Sequence, residues 1–182
     1  QVASLDYFSG GRFIFGIGAG WLREETEIMG GDFDHRWTQA KESVMAMKAL
    51  WAEAESEFHG KYYDFPPVHS FPKPAQRPHP PVILAGTAAN VHKRIADWGD
   101  GWLPIRISPE EVRAGREKLN ALAAASGRDP AGLTISIYGV LPEPETVRAY
   151  ADAGADRVVL RLDSSPEAET LVTLKELAKK LF

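Results

Sequence analysis

Three glycines alternate through Arg12-Phe13-Ile14-Phe15-Gly16-Ile17-Gly18-Ala19-Gly20, and Trp21 follows directly. Glycine admits backbone conformations and close approaches that a Cβ forbids, so this ladder could let a ligand lie against the main chain. A dinucleotide fingerprint fails, because Gly-x-Gly-x-x-Gly needs glycine at position 21, which is Trp21. No strand follows at the distance needed to offer an acid to a ribose. Two readings stay open. Small residues at a strand end can simply permit close packing, or the end of the strand lets a flat ring approach Gly18, Ala19 and Gly20, with Trp21 as a wall.

Ala85-Gly86-Thr87-Ala88-Ala89-Asn90 is a second candidate, in which a strand ends, a glycine turns the chain and a helix starts at once. Free amides at the start of that helix, together with the Thr87 hydroxyl, would cradle a phosphate. The plainer alternative is a helix capped by Thr87 or Asn90. Lys93 and Arg94, one turn on, could add positive charge, or stand in solvent as ordinary helix-surface residues.

Other chemistries are poorly supplied. The five histidines (35, 59, 69, 79 and 92) show no His-x-x-x-His pair and no adjoining carboxylate cluster, so no zinc or iron site is expected. Without cysteine there are neither disulfides nor thiolate metal sites. Gly-x-Ser-x-Gly is absent, and Asp97 and Asp100 around Trp98-Gly99 read as capping residues. Lysine and arginine total 21 against 25 acidic residues, a net charge of −4 without a basic block, which argues against nucleic acid as a partner. No apolar run approaches the roughly 20 residues that span a bilayer, and no signal peptide is recognisable. A cytoplasmic, soluble protein is the expectation.

The elements that must position these residues follow from periodicity. Five apolar runs stand out: 12–20, 82–85, 101–105, 134–138 and 157–162. Most are nearly continuous, as in parallel strands covered on both faces. Trp37, Ala40, Val44, Met47 and Leu50 share one helical face. Ser108-Pro109-Glu110-Glu111 combines an N-cap serine, a first-turn proline and a capping-box glutamate, and Gly127 ends that helix. Gly154 ends another, and a last helix from Ser165-Pro166 is expected to bury Leu171, Leu174, Leu177 and Leu181. Strand and helix in alternation predict an α/β protein with a parallel sheet. Residues 57–65 read as a hairpin around Gly60, and seven of the 13 prolines fall in 66–81. That density excludes helix and central strand there. Residues 57–81 are therefore expected to be an excursion from a single domain spanning 1–182.

Ala3-Ser4-Leu5-Asp6, Ser9-Gly10-Gly11-Arg12-Phe13, Gly16-Ile17-Gly18-Ala19-Gly20-Trp21, Glu25, Gly31-Asp32-Phe33, Arg36 and Leu50-Trp51 occur in a telling order. They are followed by Phe58-His59-Gly60-Lys61-Tyr62-Tyr63, Pro81-Val82-Ile83-Leu84-Ala85-Gly86, Ala96-Asp97 and Asp100-Gly101-Trp102. Taken together, the series resembles the bacterial luciferase-like monooxygenase family, in its deazaflavin-dependent branch, over nearly the whole chain. The resemblance implies a (β/α)8 TIM barrel of about 250 residues. The five runs here resemble its fourth to eighth strands, so the first three strand–helix units would precede Gln1, as in a fragment or a truncation.

Such a remnant would leave strand edges unpaired and is expected to form a homo-oligomer. The resemblance further implies an oxidoreductase that performs hydride transfer or monooxygenation on a small-molecule substrate. Gly18, Ala19, Gly20 and Trp21 would lie along the cofactor ring, and Gly86, Thr87 and Ala88 would take its phosphate. Relatives that use FMN carry an arginine where Ala19 stands, which favours coenzyme F420 with FMN as the alternative. No residue matches a catalytic motif of the family, so no catalytic residue is assigned. The competing expectations are a non-catalytic flavin-binding or assembly protein built on the same barrel, and a remnant with no ligand.

Overall fold

Short apolar segments become strands, and the amphipathic segments between them become helices. The computed structural model describes residues 1–181, which fall into two compact units, Gln1–Ile83 and Leu84 onward.

The first unit contains helix α1 (Val2–Phe8), strand β1 (Phe15–Ile17), and helices α2 (Arg23–Ile28) and α3 (Arg36–Ala52). A hairpin of β2 (Ser56–His59) and β3 (Asp64–Val68) follows, and then the first half of β4 (Val82–Ala85). The run 12–20 yields only three strand residues, because the chain leaves the extended region after Ile17 and reaches φ +77° at Gly20. In this unit β1 neighbours β4, and the Phe15 N–H donates to Pro81 O at 2.8 Å. Phe15 meets Trp51 edge to face, with ring centroids 5.9 Å apart, which seats β1 on α3.

On α3 the buried residues are Val44, Ala46 and Trp51, so the covered face is offset from the expected one. The hairpin is antiparallel, with His59 opposite Asp64 and Phe58 opposite Phe65. Its turn is held from outside: Glu42 Oε1 accepts the N–H groups of Tyr62 (2.5 Å) and Tyr63 (2.8 Å). Pro66 and Pro67 lie in β3, where a two-stranded sheet leaves room for residues that cannot donate.

In the second unit, β4 continues into α4 (Val91–Trp98), β5 (Gly101–Leu103), α5 (Pro109–Ala125), β6 (Thr134–Val140), α6 (Pro144–Asp152), β7 (Arg157–Leu160) and α7 (Glu167–Leu181). The strands are ordered β4-β5-β6-β7. β5 runs parallel to β6, with Trp102 opposite Ile135, and β6 runs parallel to β7, with Ile137 opposite Val158. The register slips between Tyr138 and Val140, around Gly139 at φ +79°. Leu84, Ile95, Leu119, Leu133, Ile135 and Ile137 are fully buried and form the core of this unit. All but Leu133, which immediately precedes β6, come from a strand or from a helix face laid on one, as in α/β layers.

Local signals predicted the helix ends here. Ser108 Oγ accepts the Glu111 N–H, and the Glu111 carboxylate accepts the Ser108 N–H at 2.7 Å, a complete capping box. Gly127 (φ +72°) follows α5 and Gly154 (φ +98°) follows α6. At each, paired N–H bonds return to the last turn, from Gly127 and Arg128 to Ala124 and Ala123, and from Gly154 and Ala155 to Ala151 and Tyr150. The expectation for α7 was wrong. No residue of α7 is buried, and Leu171 and Leu174 are 47% and 45% exposed. Periodicity placed the leucines on one face, but among the described residues β7 has a neighbour on one side only and none covers that face fully.

Candidate functional site

The candidate residues fall into two groups, one per unit. In the first, Gly18–Trp21 leave the end of β1. A Cβ built on Gly18 would meet nothing within 4 Å, so the main chain there stands open. Gly20 occupies the left-handed region, where glycine costs least. Its carbonyl accepts the Nε–H of Arg36 at 3.2 Å. Arg36 also donates through Nη1 to Phe33 O at 2.6 Å, and its guanidinium lies 3.7 Å from the centroid of the Phe33 ring. Arg23 lies over the same ring at 4.6 Å while pairing with Asp34 at 2.5 Å. Cation–π contacts of this kind contribute ~0.5–1 kcal/mol at exposed sites, and here they orient the arginine that holds Gly20. Trp21 is 83% exposed, so its ring is free to stand as a wall.

In the second unit, Gly86 leaves β4 at φ +109°, and a Cβ there would also meet nothing within 4 Å. Both backbone polar groups of Gly86 are tied to β5: its N–H donates to Leu103 O at 3.2 Å, and its carbonyl accepts the indole N–H of Trp102 at 2.8 Å. The helix does not start at once. A turn over 86–90 intervenes, the Val91 N–H goes back to Ala88 O at 2.9 Å, and α4 begins at Val91. Asn90 is the N-cap, yet its side chain makes no capping hydrogen bond. Thr87 and Ala88 are exposed.

Thr87 borders a cavity of about 260 Å³ that is also lined by His92, Trp102, Ile107, Glu111 and Lys118. His92 stands edge-on to Trp102, with centroids 4.5 Å apart, and its Nε2 is buried without a hydrogen-bond partner. Burial, reinforced by the charge of Lys118, holds the imidazole below its ordinary pKa and so keeps it neutral at pH 7. Gly115 of α5 faces the same ring, and a Cβ there would overlap Trp102.

Other singled-out residues have structural work. Asp100 pairs with Arg128 at 3.2 Å, and Arg128 Nη1 also donates to the carbonyls of Ile95, Ala96 and Gly99, which closes the C-terminus of α4. Lys93 is exposed. His35 pairs with Asp32 at 2.6 Å and His59 with Asp64 at 2.7 Å. Among the described residues no group of three or more His, Asp or Glu side chains could hold a metal ion. The sequence reading did not foresee the hydrogen bonds of Arg36 and Trp102, nor the role of Gly115. An isolated glycine inside a helical pattern is the one local signal that could have flagged the last.

Parallel strands joined by helices, with glycine turns at the strand ends, define an α/β protein whose candidate site lies in loops. The family model for luciferase-like monooxygenases matches residues 1–175, and the chain belongs to that family. An uncharacterized protein of Mycobacterium tuberculosis is 33% identical over 185 residues, covering 100% of this chain and 64% of that protein. The chain thus spans about 64% of the length of the first curated relatives it matches. An FMNH2-dependent dimethylsulfone monooxygenase of Pseudomonas putida is 32% identical over 133 residues, or 70% of this chain and 36% of the enzyme. An F420-dependent secondary alcohol dehydrogenase, solved with an F420–acetone adduct, superposes with a TM-score of 0.78 at 17% identity, over 100% of this chain and 73% of that one. The fold is therefore a partial barrel of the luciferase-like type. No helix among the described residues is long and apolar enough to cross a membrane.

Proposed function

We propose that this chain supplies the cofactor-holding strand ends of a flavin- or deazaflavin-dependent oxidoreductase acting on a small molecule. The observation that carries this reading is the pair of open glycine turns, Gly18–Gly20 and Gly86–Ala88, each following a strand of the sheet in a member of this family. Gly18, Ala19 and Gly20 offer backbone without bulky side chains to a flat ring, and Trp21 keeps water from its edge. Gly86, Thr87 and Ala88 take the phosphate: the Thr87 hydroxyl and the backbone amides of this loop donate to anionic oxygens. When bound, such a cofactor supplies hydride transfer, and a reduced flavin also activates oxygen. The residues of this chain bind and orient it.

Coenzyme F420 is the favoured occupant, because Ala19 stands where FMN-binding relatives of this type carry an arginine. FMN is the second reading, supported by the FMNH2-dependent relative. Fluorescence titration with F420 and with FMN tests both. Saturable binding of one is expected, and Thr87→Ala should weaken it by about 1.5–3 kcal/mol, the worth of a hydrogen bond to a charged group. Binding of neither overturns the reading. Unchanged affinity in Thr87→Ala removes that residue from the phosphate loop.

A further inference from the structure

The Gly86–Thr87 peptide unit is held by one side chain. The Gly86 carbonyl receives the Trp102 indole N–H at 2.8 Å, sixteen residues away in sequence. A trans peptide is planar, so fixing the direction of the Gly86 carbonyl fixes the Thr87 N–H, which points the opposite way. Trp102 therefore aims the Thr87 amide away from its own indole, out of the packed side of the loop. At φ +109° glycine has no side chain that could settle this orientation, and several backbone conformations are open to it.

Trp102 is in turn packed from several sides. It is only 3% exposed, it stands opposite Ile135 in the parallel pair of β5 and β6, and it carries His92 edge-on at 4.5 Å. Gly115 leaves the space its ring fills. The buried His92 Nε2 makes no hydrogen bond and so does not share the Gly86 carbonyl. The indole donates and cannot accept, so its bond to the carbonyl has one sense only.

We infer that Trp102 is a positioning residue: through the Gly86 carbonyl it presets the Thr87 amide for the cofactor phosphate, without touching the cofactor. The inference rests on the reading of Gly86–Ala88 as a phosphate loop. A purely structural tryptophan would affect all ligands alike, whereas a positioning one acts only where a phosphate is present.

The test compares FMN with riboflavin, which differ in that group alone, and F420 with its tail-less deazaflavin chromophore, which lacks the phosphate together with the rest of the tail. Each is titrated into the full chain and into Trp102→Phe. A second variant carries benzothienylalanine at position 102, which replaces the N–H by sulfur at nearly constant shape and guards against a folding defect. The loss of one hydrogen bond predicts that affinity for the phosphate-bearing member falls roughly 3- to 10-fold. The phosphate-free member should be unchanged, and amide hydrogen exchange at Thr87 and Ala88 should accelerate.

Equal weakening of the two members, no weakening of either, or unaltered exchange at Thr87 and Ala88 overturns the role of Trp102. If the unsubstituted chain itself prefers neither phosphate-bearing member, the phosphate loop fails first and Trp102 falls with it. The two failures are thus told apart in the unsubstituted protein.

Discussion

Asp6 is a carboxylate with no exposed surface, in a helix of only seven residues. Its Oδ2 accepts the Gln76 N–H at 2.8 Å and its Oδ1 accepts the Gln76 side-chain amide at 2.6 Å. The same amide donates to Phe13 O at 2.7 Å. One charge thereby joins α1, the approach to β1 and the proline-rich segment, which share no regular ladder. Burial pushes the Asp6 carboxyl up, but the hydrogen bonds from Gln76 outweigh it and hold the pKa below the ordinary 3.8. A depressed folded pKa stabilises above the unfolded value, and the contribution is lost as pH falls from about 3.8 through the lower folded value. Asp6→Asn should therefore destabilise the chain by about 1.5–3 kcal/mol near neutral pH, since an amide group then faces a donor and the charge is gone. The difference should shrink in strong acid, where the wild-type carboxyl is itself protonated. Urea midpoints for the two proteins at several pH values would show it. Equal midpoints near neutrality would mean that Gln76 holds these segments without the charge.

At the scale of elements, the meeting of α5 with β5 is decided at Gly115. Helix propensity alone favours Gly115→Ala by ~1 kcal/mol. A Cβ there would overlap the Trp102 ring, which is buried and has His92 edge-on against it. Overpacking of this kind costs about 1–3 kcal/mol, so the substitution should lower the melting temperature. A rise would show that Trp102 yields, and would weaken its grip on Gly86. How much of this was legible beforehand depends on the range of each interaction. The capping box at Ser108–Glu111 and the glycine stops at 127 and 154 lie within one turn of the ends they fix, and each was read correctly. The start of α4 was misplaced by several residues, because the turn over 86–90 depends on bonds to Trp102 and Leu103 of β5. The glycine ladder marked the first candidate loop and the strand–glycine–helix pattern of 85–90 the second, yet the donors that hold them, Arg36 for Gly20 and Trp102 for Gly86, come from sixteen residues away. Local spacing carries no signal for such pairings.

Over the whole molecule, burial is incomplete on one side of the second unit. Leu171, Val172 and Leu174 of α7 are 47%, 55% and 45% exposed. A cavity of about 280 Å³ lies between α7 and the end of β7, lined by Leu160, Leu162, Leu174, Leu177, Ala178 and Leu181. Among the described residues β7 has β6 as its one neighbour, so its other edge presents unpaired N–H and C=O groups. A closed (β/α)8 barrel leaves no such edge. An open strand edge beside an apolar helix face is a template for association. The 20.0 kDa chain should therefore self-associate, and sedimentation equilibrium should report a mass above that of one copy. Each leucine withdrawn from water is worth roughly 1.5–3 kcal/mol, so a Leu171→Glu, Leu174→Glu double variant should weaken association at least about tenfold. Its helix content should hold, because glutamate is as good a helix former as leucine. If instead the variant associates as strongly as the wild type, the β7 edge alone drives the contact. A stable monomer in the wild type would mean that the α7 face tolerates water, and neither surface then recruits a second copy.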